Sequence, residues 1–354
     1  MSLVAALEGH HGTLGLYAAV QRLFCAFGCF ALPGSLLLDA PFGRFGTWSN
    51  ALTVNGDLGW LVMEAFAPLT FLCALALPLT TTPLSRHTLL ACASPSTIVR
   101  AFLALDRPRQ LLATLFLVHY SNRSVIGTLR NPGRAPMHLV IPVLSALFNF
   151  ANGGTLGAWL SAGGRTAGLG LKAHSPSSRA LFALGVGLWA AGFAGNIFHD
   201  EHLYALKRAK QRSLAKGKAK ASSSSSGSGS GSSAAQGDNK PPAHERYSIP
   251  TRGLYALVSH PSYLCEWVEW SGFALAALQL APAPFPSSTS AAAAARGVLQ
   301  PLAQWYLQPP VLFVLQEVAA MLPRARSGHA WYKRTFGAEW ERKGARWAVI
   351  PGVY

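Results

Sequence analysis

Residues 58–80 read LGWLVMEAFAPLTFLCALALPLT, an unbroken apolar run whose only residue of a charged type is Glu64. A helix rises 1.5 Å per residue, so about 20 such residues span a hydrocarbon core of about 30 Å. Outward from this stretch, runs of similar length recur at about 15–38, 110–128, 137–160, 178–204, 263–281 and 297–322. The pattern predicts an all-α integral membrane protein, a bundle of about seven transmembrane helices. Open strands would leave backbone groups unsatisfied in lipid, and the two-residue alternation of a membrane barrel is absent. Composition agrees: the 354 residues are 50% hydrophobic and 12% charged, with mean hydropathy +0.26, too little polar material to coat a soluble body of this size.

The formal net charge is +16. The basic residues lie in short loops between apolar runs and in the C-terminal tail, the layout of a membrane protein, and no nucleic-acid partner is expected. One basic run holds Lys207, Arg208, Lys210, Arg212, Lys216, Lys218 and Lys220, and another holds Arg324, Arg326, Lys333, Arg334, Arg342, Lys343 and Arg346. The positive-inside rule puts both in the cytosol, with the C-terminus cytosolic and the N-terminus lumenal. Residues 81–109 disagree, because that loop carries Arg86, Arg100, Arg107 and Arg109 on the side counted as lumenal. The stretch 221–240, with SSSSSGSGSGSS, reads as a flexible linker. Three segments follow: transmembrane helices over 1–204, a basic and Ser/Gly-rich cytosolic loop over 205–245, and a C-terminal domain over 246–354. The first 38 residues lack the basic start and small-residue cleavage site of a signal peptide, so the first run is expected to be retained. Cys25, Cys29, Cys73, Cys92 and Cys265 contain no C-x-x-C pair and read as small buried residues, not as a disulfide frame or a metal site.

Ionisable groups inside apolar runs cost about 2.5–3.5 kcal/mol on insertion scales, so each is a functional candidate. Glu64 sits in GWLVMEAFAPL; a neutral acid there could donate a hydrogen bond to a carbonyl. LFLVHYSNRSVIGTL places His119 and Arg123 four residues apart on one helical face, with Tyr120 beside them. Asn196 and Asp200 repeat that spacing in GNIFHDEHLYALKR. YLCEWVEWSGFALAAL sets Glu266 and Glu269 three apart, two acids on one face of an apolar helix that need cations or donors. Together these groups suggest a water-excluded pocket within the bundle, and the cationic face nearby suits an anionic ligand. No G-x-G-x-x-G follows a strand and no P-loop is present, so a nucleotide would be held without a Rossmann fold.

The block RYSIPTRGLYALVSHPSYLCEWVEWSGFALA (246–276) resembles the signature of the steroid 5α-reductase family through Pro250, Gly253, Leu254, Val258, Pro261, Tyr263, Glu266, Glu269, Trp270 and Gly272. The tail HAWYKRTFGAEWERKGARWAVIPGVY is similar to that family's C-terminus through His329, Trp331, Tyr332, Phe336, Arg346 and Pro351. Upstream, PFGRF (41–45), Glu64, LVHYSNR, Arg134 and the Asn196/Asp200 pair also have counterparts. Four positions differ: Met63 stands where steroid reductases commonly have Gln, Ser262 where they have the Asn of P-N-Y, and Lys207 and Ser248 where arginines are common.

The resemblance implies a seven-helix bundle of the endoplasmic-reticulum membrane that uses NADPH to reduce an activated carbon–carbon double bond of a lipid. A 3-oxo-Δ4-steroid or sterol is the first expected substrate. It further implies that Glu64 and Tyr120 bind the substrate carbonyl as the catalytic pair. Arg134, Asn196, Asp200, Tyr247, Glu266, Arg324, His329 and Tyr332 would bind NADPH. Relatives in the wider family reduce trans-2-enoyl-CoA or polyprenols. An isoprenylcysteine-type methyltransferase shares H-P-x-Y and a later paired acid but has no need of Glu64 and Tyr120. A transporter or scaffold would show inverted repeats, and no internal repeat is evident.

Overall fold

The computed structural model describes residues 12–37, 43, 52–80, 85–164, 175–224, 242–280 and 305–353. Among them the fold is α-helical: α1 (Gly12–Leu37), α2 (Gly56–Ala76), α3 (Arg86–Cys92), α4 (Pro95–Leu103), α5 (Arg107–Tyr120), α6 (Val140–Gly164), α7 (Pro176–Ser224), α8 (Pro261–Ala277), α9 (Pro309–Phe336) and α10 (Ala338–Lys343). A two-residue antiparallel ribbon joins β1 (Thr53–Val54) to β2 (Met137–His138), pairing Thr53 with His138 and Val54 with Met137. Residues 85–109, expected as loop, hold α3, α4 and the start of α5. Proline at the first helical positions and the Ser85 and Asp106 caps provide their starts.

Four helices are long and apolar enough to cross a bilayer among the described residues: Gly12–Leu37, Gly56–Ala76, Val140–Ala162 and Pro176–Gly217. The other three expected spans are helical in their described parts but interrupted or rich in polar groups. The run at 110–128 breaks into a π-helical turn, Ser121–Ile126. The run at 263–281 is only 17 residues of helix, α8, and carries two acids. Residues 297–304 of the run at 297–322 lie outside the described residues, and α9 begins at Pro309. The basic stretch from Lys207 to Lys220 is not loop: α7 continues through it, because Ala, Lys, Arg, Gln and Leu are strong helix formers. The Ser/Gly-rich stretch beyond Ser224 lies outside the described residues.

The chain divides into two compact units, one of residues 1–193 and 266–324, the other of 194–265 and 325–354. The first unit's core stacks Phe71 of α2 on Phe116 of α5 at 4.4 Å and sets Trp270 of α8 edge-on to Phe313 of α9 at 4.6 Å. Leu156 and Leu160 of α6 and Trp189 of α7 complete it. Outward faces stay apolar, with Leu23, Leu69, Leu147 and Leu184 all exposed, as lipid contact requires. Cys29 and Cys73 are exposed on such faces, not buried as expected, because their helix positions turn away from the core. All five cysteines are free thiols.

Helices α2 and α6 approach at glycines spaced four apart on α6. A Cβ on Gly153 would strike the Ala67 carbonyl oxygen, and one on Gly157 the Phe71 carbonyl oxygen, whereas Gly154 faces open space. Gly157→Leu is therefore expected to destabilise the protein in detergent by about 1–3 kcal/mol, the range for overpacking. Gly154→Leu should leave the denaturation midpoint unchanged, and equal losses in the two variants would refute the close approach as the cause.

Candidate functional site

The first unit buries four carboxyl groups, those of Glu64, Glu266, Glu269 and Glu317, around one guanidinium and one imidazole. Arg123 is the hub. Its Nε donates to Glu64 Oε1 at 3.0 Å and its Nη1 lies 2.8 Å from Glu266 Oε1. His119 Nδ1 is 2.7 Å from Glu269 Oε1, and its Nε2 is 3.8 Å from Glu266 Oε1. The two acids of α8 thus share the His119 ring, as their three-residue spacing places them on one face. Glu269 is fully buried and Trp270 is 1% exposed, so this face of α8 belongs to the interior and not to an interfacial belt. Glu317 of α9 lies within electrostatic range of Glu266, Arg123 and Tyr120.

The π-helical turn after Tyr120 presents Arg123, and Ser124 Oγ donates to the Tyr120 carbonyl at 2.5 Å. π-turns inside helices concentrate at functional sites, because the wider turn redirects side chains at the expense of regular bonding. Trp60 of α2 fixes this turn: its Nε1 donates to the Arg123 carbonyl at 3.2 Å, and the guanidiniums of Arg123 and Arg134 lie 5.3 and 4.6 Å from its ring centroid. Arg134 also bonds Asp57 Oδ1 at 3.1 Å, tying the loop before β2 to the first turn of α2.

Tyr120 is 2% exposed, with its ring against Phe116 and His119. Its hydroxyl donates to Asn149 Oδ1 at 3.3 Å and accepts from Asn152 Nδ2 at 3.0 Å. Asn149 Nδ2 donates to the Met63 carbonyl at 2.8 Å, next to Glu64. Asn149, Asn152 and Glu317 were not among the sequence candidates. Two amides three residues apart in the apolar run 137–160 were a usable signal, as was an acid in the run 297–322.

The remaining candidates divide between the units. Glu266 joins Glu64 and Tyr120 in the first unit, where Arg134 also lies; Arg324 Nη2 sits 3.5 Å from the position a Cβ on Gly43 would take. In the second unit, Ser262 Oγ donates to Asp200 Oδ1 at 2.7 Å and Asn196 Nδ2 donates to the Ser262 carbonyl at 3.1 Å. His329 Nδ1 is 3.0 Å from Ser259 Oγ, which is also 2.8 Å from His260 Nδ1. Burial and the nearby Lys333 charge hold the His329 imidazole below its usual range, so the ring is neutral at neutral pH. Tyr332 stacks on Trp340 at 4.7 Å, and Tyr247 meets Trp331 edge-on at 5.0 Å. His199 is structural: its Nε2 accepts from the Leu254 N–H at 3.1 Å, which leaves Nδ1 to donate to the Gly195 carbonyl at 2.6 Å.

Residues 232–307 match the family model described as 3-oxo-5-alpha-steroid 4-dehydrogenase. An uncharacterised protein of Schizosaccharomyces pombe is 32% identical over 95% of this chain and 98% of its own length. The 3-oxo-5-alpha-steroid 4-dehydrogenase 1 of Homo sapiens is 27% identical over 83% of this chain and 89% of its own, and the steroid 5-alpha-reductase DET2 of Arabidopsis thaliana 24% over 90% and 88%. On these matches the chain belongs to the steroid 5α-reductase, or 3-oxo-5-alpha-steroid 4-dehydrogenase, family.

Proposed function

We propose that this chain is a membrane oxidoreductase acting on CH–CH groups, which reduces the activated double bond of a steroid or sterol-like enone with NADPH as donor. The observation that carries this reading is the Tyr120 phenol, buried with its proton directed and set within electrostatic range of Glu64. Reducing an enone builds negative charge on its carbonyl oxygen, and a fixed donor in a dry site stabilises that charge most where it develops. Tyr120 supplies such a donor. Glu64, on α2 and bonded to Arg123, completes the carbonyl site. Phe116 and Trp270 pack beside the phenol and keep water from it.

The chemistry of the donor set fits NADPH. Within the second unit, Asn196, Asp200, Tyr247, His329 and Tyr332 offer an amide, a carboxylate, a neutral imidazole and phenols for an amide and sugar hydroxyls; within the first, Arg134 and Arg324 offer guanidiniums for phosphates. Glu266 would join them. When bound, NADPH supplies the hydride that the β-carbon of the enone receives, and the α-carbon takes a proton. A bundle of about seven spans in the endoplasmic-reticulum membrane, with a cytosolic C-terminus, would put the basic runs on the side where NADPH is available.

The test is NADPH oxidation by the purified protein in detergent with progesterone, testosterone, a trans-2-enoyl-CoA or a polyprenal. Steroid-dependent oxidation is expected; binding of S-adenosylmethionine without NADPH binding would overturn the reading. In the same assay, Glu64→Gln should lower kcat while leaving the Kd for NADPH unchanged, and Glu266→Ala should weaken NADPH itself. Equal losses of both in either variant would refute those roles.

A further inference from the structure

The hydrogen bonds around Tyr120 have only one possible direction. The Met63 carbonyl can only accept, so the Asn149 group 2.8 Å from it must be the Nδ2 amide. That turns Asn149 Oδ1, which can only accept, toward the phenol, and the Tyr120 hydroxyl must donate to it at 3.3 Å. The phenolic proton being committed, Asn152 must face the phenol oxygen with its own amide, at 3.0 Å. The sequence of donors therefore runs Asn152, Tyr120, Asn149, Met63. It starts at the Asn152 Nδ2 amide and ends on the Met63 carbonyl, while Asn152 Oδ1 is buried with no hydrogen-bond partner among the described residues.

The donor bonds differ in quality. Asn152 to Tyr120, at 3.0 Å, is of ordinary length, whereas Tyr120 to Asn149, at 3.3 Å, is longer than the usual O–H···O bond. A donated bond to the phenol oxygen polarises the O–H and strengthens its own donation. The aromatic contacts of the ring leave the phenol little freedom to turn, since Phe116 and Trp270 pack on it at 4.7 and 6.2 Å.

We infer that Asn152 is a positioning residue for the reduction: its side-chain amide aims and polarises the Tyr120 proton toward the substrate carbonyl, with Asn149 Oδ1 as the resting acceptor that carbonyl replaces. The inference rests on the proposed function and adds to it a residue with no substrate contact of its own. It also explains why two amides lie in an apolar helix where each would otherwise be a burden. Asn149 and Asn152, three apart on α6, hold the phenol from both sides of its oxygen.

A double-mutant cycle tests it, in the full-length protein with progesterone and NADPH. Asn152→Leu should reduce kcat at least about tenfold with the Kd for NADPH unchanged, the equivalent of losing one directed hydrogen bond. In the Tyr120→Phe background the same substitution should change kcat by less than about twofold, because its effect acts through the phenol. Asn152→Asp, close in shape, is the second variant and should show the same dependence on Tyr120; retained NADPH binding reports that each variant is folded. Equal effects of the Asn152 substitutions in both backgrounds would assign Asn152 a merely structural role and overturn the inference. A Tyr120→Phe single variant that turns over like the wild type would instead refute the role given to the phenol, and no turnover by the wild type would overturn the function and the inference together.

Discussion

The Arg123→Met protein is expected to be the least stable variant at this site, losing about 3–5 kcal/mol, the range for removing one partner of a buried ion pair. Arg123 bonds both Glu64 and Glu266, at 3.0 and 2.8 Å, and both acids are buried. Methionine has similar length and packs well, so the loss isolates the missing charge and its donors from any cavity. Two carboxylates would then lie close together with Glu269 and Glu317 nearby and the His119 ring beside Glu266. Because removing one partner is worse than removing both, Glu64→Gln in the Arg123→Met background should recover part of the loss. Denaturation in detergent, followed by tryptophan fluorescence, measures both. A midpoint for Arg123→Met equal to the wild type would mean that the cluster is screened by water and is no stabilising centre.

Much of this cluster was legible in the chain. An ionisable residue in an apolar run stands out against its surroundings, and the helical period puts His119 beside Arg123 and Glu266 beside Glu269, as the shared contacts bear out. Which acid meets which base was not legible, because Glu64, Arg123 and Glu266 are joined only by packing of α2, the π-turn and α8 across long separations in sequence. The π-turn itself depends on Trp60 holding the Arg123 carbonyl, a contact between helices that no local pattern in LFLVHYSNRSVIGTL announces. Asn149 and Asn152 were overlooked for a different reason: weighing charge alone treats a neutral amide in lipid as harmless, although an unsatisfied amide there is also costly. The span count turned on the same physics, since the runs that carry the polar cluster are those that fall short of a simple apolar helix among the described residues.

Tyr120→Phe should separate stability from chemistry most clearly. The ring keeps its contacts with Phe116, His119 and Trp270, so packing is preserved. Losing the hydroxyl leaves Asn149 Oδ1 and Asn152 Nδ2 without the phenol between them, a destabilisation of about 1–3 kcal/mol. The rate effect should be larger. Removing a single donor aimed at a developing oxyanion lowers kcat by about 10²–10³-fold in other enzymes. NADPH affinity should stay at the wild-type value, since Tyr120 is assigned to the carbonyl and not to the cofactor. Single-turnover rates with saturating NADPH, beside equilibrium NADPH binding, give both quantities. A parallel fall in rate and NADPH affinity would place Tyr120 on the cofactor; a rate within about threefold of wild type would refute the phenol as the oxyanion donor, since one effective donor is worth more than that.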